Sequence, residues 1–130
     1  MAKTEIRVIY GDTDQMGVVY YGNYLRYFEA ARNESLRGVG ARWRDMEVMH
    51  GIYLPVIEAK VNYKRPALYD DILVVEATLA ELGHASLRFE YRVLRGGDLL
   101  ATGHTVHACI DKQRGEIREF PDELRARLRA

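Results

Sequence analysis

Two acids stand two residues apart in YGDTDQMGVVYYGNY, Tyr10 to Tyr24, and a segment of helical period follows them. Asp and Gly cluster at turns, because Asp bonds neighbouring backbone and Gly tolerates positive φ, so Asp12 and Asp14 read first as turn residues. The position permits a second reading. A helix start offers unpaired N–H groups and partial positive charge, which can hold a developing oxyanion. A carboxylate just upstream can act beside that spot as a nucleophile or as the base for a water, a minimal acyl-transfer site. Chemistry alone does not distinguish Asp12 from Asp14.

Other chemistries find less support. His104 and His107 lie three apart in an alternating segment, which sends them to opposite faces of a strand. His50 and His84 fall in other segments, and no Cys or acid pair completes a ligand set, so no metal site is expected. Ser35 and Ser86 lack a G-x-S-x-G elbow. Cys109 sits in an apolar run, where a small buried hydrophobe is the usual role. The glycines near residues 38–40 and 96–97 have neither the spacing nor the Lys of a phosphate loop. Lys64 and Arg65, in NYKRPALYDD, form a small basic patch that suits an anion or a solvated strand end.

The elements that must position these groups follow from periodicity. Thr4, Ile6, Val8 and Tyr10 alternate with Lys3, Glu5 and Arg7, predicting a half-buried strand. Tyr24, Leu25, Phe28, Ala31 and Leu36 recur at helical spacing, and Gly38 and Gly40 stop the helix. Glu29 is placed to pair with Arg26 or Arg32. Residues 41–51 fit a short helix or a lid. Alternation returns at Ile57–Lys64 and at Leu87–Val93, while Ile72–Val75 is apolar on both faces, as in a central strand. Gly96-Gly97 marks a hairpin into the strand LLATGHTVHACID, and PDELRARLRA reads as a short terminal helix. One long helix with five strands predicts an α+β layout, a five-stranded antiparallel sheet wrapped around that helix. The remaining sheet edges suggest self-association.

The chain has 130 residues, with 48% hydrophobic and 29% charged, as expected for one packed domain spanning 1–130. Nineteen basic residues balance nineteen acidic ones, so no field points to a nucleic-acid or anionic-membrane partner. Cys109 is the single cysteine, which excludes an internal disulfide and fits a reducing compartment. No apolar run approaches the roughly 18–20 residues of a membrane span, and MAKTEIRVIY lacks a signal-peptide core. A cytoplasmic protein is expected.

DTDQMGVVYYGNYLRYFEAAR resembles the signature of the hotdog-fold acyl-CoA thioesterases, in the hydroxybenzoyl-CoA and Tol-Pal-associated branch. Y-K-R-P-A-x-x-D-D, Tyr63 to Asp71, is a second match at the expected distance. The resemblance implies hydrolysis of an acyl-CoA thioester to the free acid and CoA, with no cofactor. It implies Asp14 as the catalytic carboxylate, Asp12 as support, and the N–H of Tyr21 as the donor that polarises the carbonyl. Trp43 resembles a substrate-pocket tryptophan, though it reads equally as a core anchor, and Leu54-Pro55-Val56 matches a pocket-lining strand start. Lys64 and Arg65 would meet the CoA phosphates. The branch places basic residues where this chain has Gly83-His84-Ala85, and only His84 can serve there. Tyr21 and Trp43 favour aromatic acyl groups, with short or medium fatty acyl groups open and acyl carrier protein as an alternative carrier. A homodimer or homotetramer is implied, with residues 54–65 and 83–86 acting on the partner's Asp14. Two rivals stand beside this reading: a non-catalytic acyl-thioester-binding module, and an enoyl-thioester hydratase or dehydratase using Glu29 and Glu34.

Overall fold

The computed structural model describes residues 1–129. Five strands form one antiparallel sheet: β1 (Ala2–Arg7), β3 (Val56–Tyr63), β4 (Ile72–Leu82), β5 (Ser86–Arg95) and β6 (Asp98–Ala108). Their order is β1-β4-β5-β6-β3. A two-stranded ribbon joins β2 (Ile52–Tyr53) to β7 (Ile110–Asp111). The long helix α1 (Asn23–Gly38) packs on one face of the main sheet. The ambiguous stretch after it is a helix, α2 (Trp43–His50), and the tail is the expected helix, α3 (Asp122–Arg129). This is the α+β hotdog arrangement that the resemblance implies. No helix among the described residues is long and apolar enough to cross a membrane.

Alternation decides which face of each strand is buried. On β5, Leu87, Phe89, Tyr91 and Val93 are buried while Glu90 and Arg92 are exposed. Gly96 turns β5 into β6 at φ +59°, a conformation that side chains resist. Helix α1 buries Tyr24, Tyr27, Phe28, Ala31, Arg32 and Leu36. Phe28 stacks on Tyr91 with ring centroids 4.2 Å apart. Opposite Phe28 the sheet has Gly103, where a Cβ would stand 2.6 Å from the Phe28 ring and 2.4 Å from the Lys60 carbonyl oxygen. A glycine there is what lets the helix approach so closely.

Three expectations need correction. Tyr10 belongs to a 3-10 turn, Tyr10–Asp12, and is exposed rather than on the β1 face. Leu25 is exposed on α1; Tyr27 and the buried Arg32 complete its buried face instead. Strand β3 alternates in sequence, yet it buries neither face: Ile57 is 62% exposed and only Val61 is half-buried. The reason is position. β3 is an edge strand bonded to β6 alone, and the backbone of α1 runs mainly beside β1 and β4, with Phe28 reaching across to β5 and β6.

Candidate active site

The chain between β1 and α1 sets two carboxylates in different surroundings. Asp12 is buried, and its Oδ2 accepts from the Tyr27 hydroxyl at 2.9 Å and the Ile9 N–H at 3.3 Å. Its backbone carbonyl accepts from the Tyr20 N–H and the Asn23 side chain, both at 2.9 Å. Asp12 thus ties the turn to the helix start. Asp14 is half-buried in the next turn, closed by Asp14 N–H to the Val18 carbonyl and Gly17 N–H to the Asp14 carbonyl. Gly17 supplies the positive φ, +81°, that this turn requires. The Met16 N–H donates to Asp14 Oδ1 at 2.9 Å. No donor among the described residues reaches Oδ2, so one carboxylate oxygen is held and the other is free.

The helix start behaves as its backbone dictates. Asn23 N–H donates to the Tyr20 carbonyl at 2.9 Å and Tyr24 N–H to the Tyr21 carbonyl at 3.3 Å. The N–H groups of Tyr21 and Gly22 meet no acceptor among the described residues, as expected for the first donors of a helix. Gly22 is pressed by its neighbour, since a Cβ would lie 2.9 Å from the Tyr20 ring.

The second motif folds against the first. Lys64 and Arg65 both donate through their N–H groups to the Leu100 carbonyl, and the Ala67 carbonyl accepts from Val19 N–H at 2.9 Å. Behind this loop, Arg95 donates to Asp71 at 2.8 Å and to the Pro66 carbonyl at 3.2 Å. Burial raises the Asp71 pKa, but the Arg95 and Leu68 hydrogen bonds outweigh it and hold that carboxyl below its ordinary range.

Between the two motifs lies a cavity of ≈ 270 Å³. Asp14, Tyr21, Tyr24, Tyr63, Lys64 and Arg65 line it, with Val18, Val19 and Pro66 as apolar wall. A carboxylate, a helix start with unpaired donors and two cations therefore share one concavity, although one of the cations, Arg65, also pairs with Asp98 at 3.3 Å. A larger groove of ≈ 520 Å³ crosses the outer sheet face, but its charges already pair with one another. Glu76 lies between Lys3 and Arg92, and Glu58 accepts from His104 at 2.7 Å.

Not every candidate converges on Asp14 within one chain. Trp43 opens α2 and lines a separate hollow with Asn33 and Arg37. Leu54 is buried with its carbonyl bonded to His107 Nδ1 at 3.0 Å, while Pro55 and Val56 are exposed at the start of β3. His84 is exposed at the β4–β5 turn, where its carbonyl accepts from Phe120 N–H and Arg125. Glu34 pairs with Arg37, and Glu29 with Arg32 at 3.7 Å; neither lines the Asp14 cavity. His104 and His107 do face opposite sides of β6, the one toward Glu58 and the other into the core. Burial lifts the Cys109 thiol to about 11, as befits an inert core residue. The aromatic wall from Tyr24 and Tyr63 was missed by sequence reasoning, although both belong to the quoted motifs.

The family model of the thioesterase-like superfamily matches residues 8–128. The chain belongs to that superfamily. An acyl-CoA thioesterase, YbgC, of Haemophilus influenzae is 34% identical over 121 residues, 93% of this chain and 89% of that one. A 1,4-dihydroxy-2-naphthoyl-CoA hydrolase of Synechococcus elongatus is 32% identical, over 91% of this chain and 88% of its own. A Thermus thermophilus protein of known structure superposes with a TM-score of 0.93 at 37% identity, covering 99% of this chain and 98% of the other. In this thioesterase-like chain, the two motifs that carry the resemblance are the two that enclose the cavity.

Proposed function

We propose that this thioesterase hydrolyses a small aromatic or short- to medium-chain acyl-CoA to the free acid and CoA, with Asp14 as the working carboxylate. The observation that carries the reading is the shared cavity: Asp14, Tyr21, Lys64 and Arg65 line one space, and among the described residues no donor meets Asp14 Oδ2 and no acceptor meets the Tyr21 N–H. The thioester carbonyl oxygen takes the Tyr21 N–H, so the charge developing on it meets a donor already in place. Asp14 then attacks the carbonyl carbon, expelling CoA thiolate and leaving an acyl anhydride that water cleaves. Alternatively, Asp14 takes a proton from a water that attacks directly. Neither route requires a cofactor. Lys64 and Arg65 in the lining suit the phosphates of CoA, which makes CoA the expected carrier rather than acyl carrier protein. Three tyrosines in the cavity lining, and the naphthoyl-CoA in the name of the Synechococcus relative, support an aromatic acyl group.

The same reading includes a homodimer. Strand β3 presents Val56, Ile57 and Ala59 along an unpaired edge, the kind of edge that pairs with a second copy. The opposite edge, β1, is guarded by Lys3, Glu5 and Arg7. Trp43, Pro55, Val56 and His84, all exposed, are then free to serve the partner's cavity, whereas Leu54 is buried in its own chain. The test is thiol release from a panel of aromatic and aliphatic acyl-CoAs and acyl carrier protein thioesters. Saturable turnover of an aromatic acyl-CoA is expected. Failure to hydrolyse any thioester would refute the reading.

A further inference from the structure

Tyr63 takes no part in the chemistry above, yet it touches the helix start directly. It is the last residue of β3, and its hydroxyl donates to the Tyr21 carbonyl at 2.8 Å. Its ring meets that of Tyr24 edge-on, with centroids 5.1 Å apart, and lines the Asp14 cavity. The helix's own bond to the Tyr21 carbonyl, from Tyr24 N–H, is long at 3.3 Å. One residue upstream, the Tyr20 carbonyl is held by Asn23 N–H at 2.9 Å. Both peptide units flanking the Tyr21 Cα are therefore pinned at their oxygens, and the N–H groups of those same units, on Tyr21 and Gly22, are the unpaired ones. An amide that accepts at oxygen donates more strongly at nitrogen. A donor fixed in advance also needs no reorganisation when charge appears on a substrate.

We infer that Tyr63 is a positioning residue for thioester hydrolysis: its hydroxyl holds the Tyr21–Gly22 peptide, directly fixing the Gly22 N–H and, through the Tyr21 Cα, the adjoining Tyr21 N–H that takes the reacting carbonyl. The inference rests on the reading of the Asp14–Tyr21 cavity as the hydrolytic site. Partial burial of a residue that is 50% exposed, with Tyr24 and Tyr21 nearby, raises the Tyr63 pKa above the ordinary phenol value, so the hydroxyl remains a donor through mildly alkaline pH. The neighbouring Tyr24 ring supplies packing that Phe would preserve, which separates the hydroxyl from the ring experimentally.

Steady-state thiol release is measured for wild type, Tyr63→Phe and Asp14→Asn on the best acyl-CoA. Tyr63→Phe is expected to lower kcat about tenfold, the effect of one lost hydrogen bond felt in the transition state, with KM within about twofold. An unchanged kcat, or a kcat loss matched by a comparable rise in KM, overturns the positioning role. If Asp14→Asn hydrolyses like wild type, the hydrolytic reading itself fails; an inactive Asp14→Asn beside an unaltered Tyr63→Phe removes the positioning role alone. Should Tyr63→Phe not fold by circular dichroism, a fluorinated tyrosine placed at 63 alone replaces it. Its more acidic hydroxyl stops donating at lower pH, so the alkaline fall in kcat shifts downward. A fall that stays in place overturns the inference.

Discussion

Asp12 and Asp14 share a side chain and a turn but differ in what their oxygens meet. Asp12 is spent on Tyr27, Ile9 and the helix start, whereas Asp14 keeps one oxygen free at the cavity. A comparable contrast separates the histidines. His107 lies at the end of a buried chain whose donors run one way. Arg32 donates to the Tyr91 hydroxyl at 3.0 Å, Tyr91 to Thr105 at 2.6 Å, Thr105 to His107 Nε2 at 2.8 Å, and His107 Nδ1 to the Leu54 carbonyl at 3.0 Å. That sense is set by its ends, since a guanidinium only donates and a carbonyl only accepts. Protonating Nε2 would break the chain, and burial already lowers the His107 pKa to about 4, with Arg32 adding to the effect. The sign follows: the unfolded chain takes up a proton near pH 6.5 while the folded one resists, so this stability is present above pH 6.5 and is lost as pH falls toward 4. The loss is on the order of 3 kcal/mol. Thermal melts of wild type and His107→Asn across that window should show a shallower acid decline in the variant, and parallel curves would refute the assignment.

Among the elements, the contact of α1 with the sheet turns on one missing methyl. Gly103→Ala would drive a Cβ into the Phe28 ring and the Lys60 carbonyl, and backbone cannot yield as a flexible side chain can. A loss of about 2–3 kcal/mol is expected by denaturant titration; a neutral result would mean that the helix moves away at little cost. Nothing in the pattern LLATGHTVHACID marked that glycine, because alternation reports which face a residue takes and not how near the opposing element comes. The same limit explains β3. Its residues alternate like those of β5, but only the strand order reveals that β5 lies inside the sheet and β3 at its edge. Helix α1 was legible in its period, and Leu25 was misplaced because helical spacing leaves the margin of the buried stripe undetermined. At the site, Asp14, Tyr21, Lys64 and Arg65, which the resemblance implied, do share a cavity. Its tyrosine wall was not found, since Tyr24 and Tyr63 come from an interior helix face and a strand end whose meeting is a tertiary fact.

For the molecule as a whole, the second copy proposed above, joined along β3, would account both for the exposed β3 residues and for the candidate residues that lie away from Asp14. Ile57→Asp places a charge on that edge without entering the Asp14 cavity. Light scattering should report a monomer where wild type is a dimer or larger, and thiol release should fall with it; an unchanged oligomer would place the interface elsewhere. The central claim is narrower and can be read from one experiment. Asp14→Asn keeps the turn's acceptor for Met16 N–H while removing the charge, so the fold and the cavity should persist. Single-turnover hydrolysis of an acyl-CoA, with its binding measured in parallel, should show the chemical step slowed on the order of 10²–10⁴-fold at nearly unchanged affinity. A variant that binds and hydrolyses like wild type would contradict the account and leave Asp14 as no more than a turn.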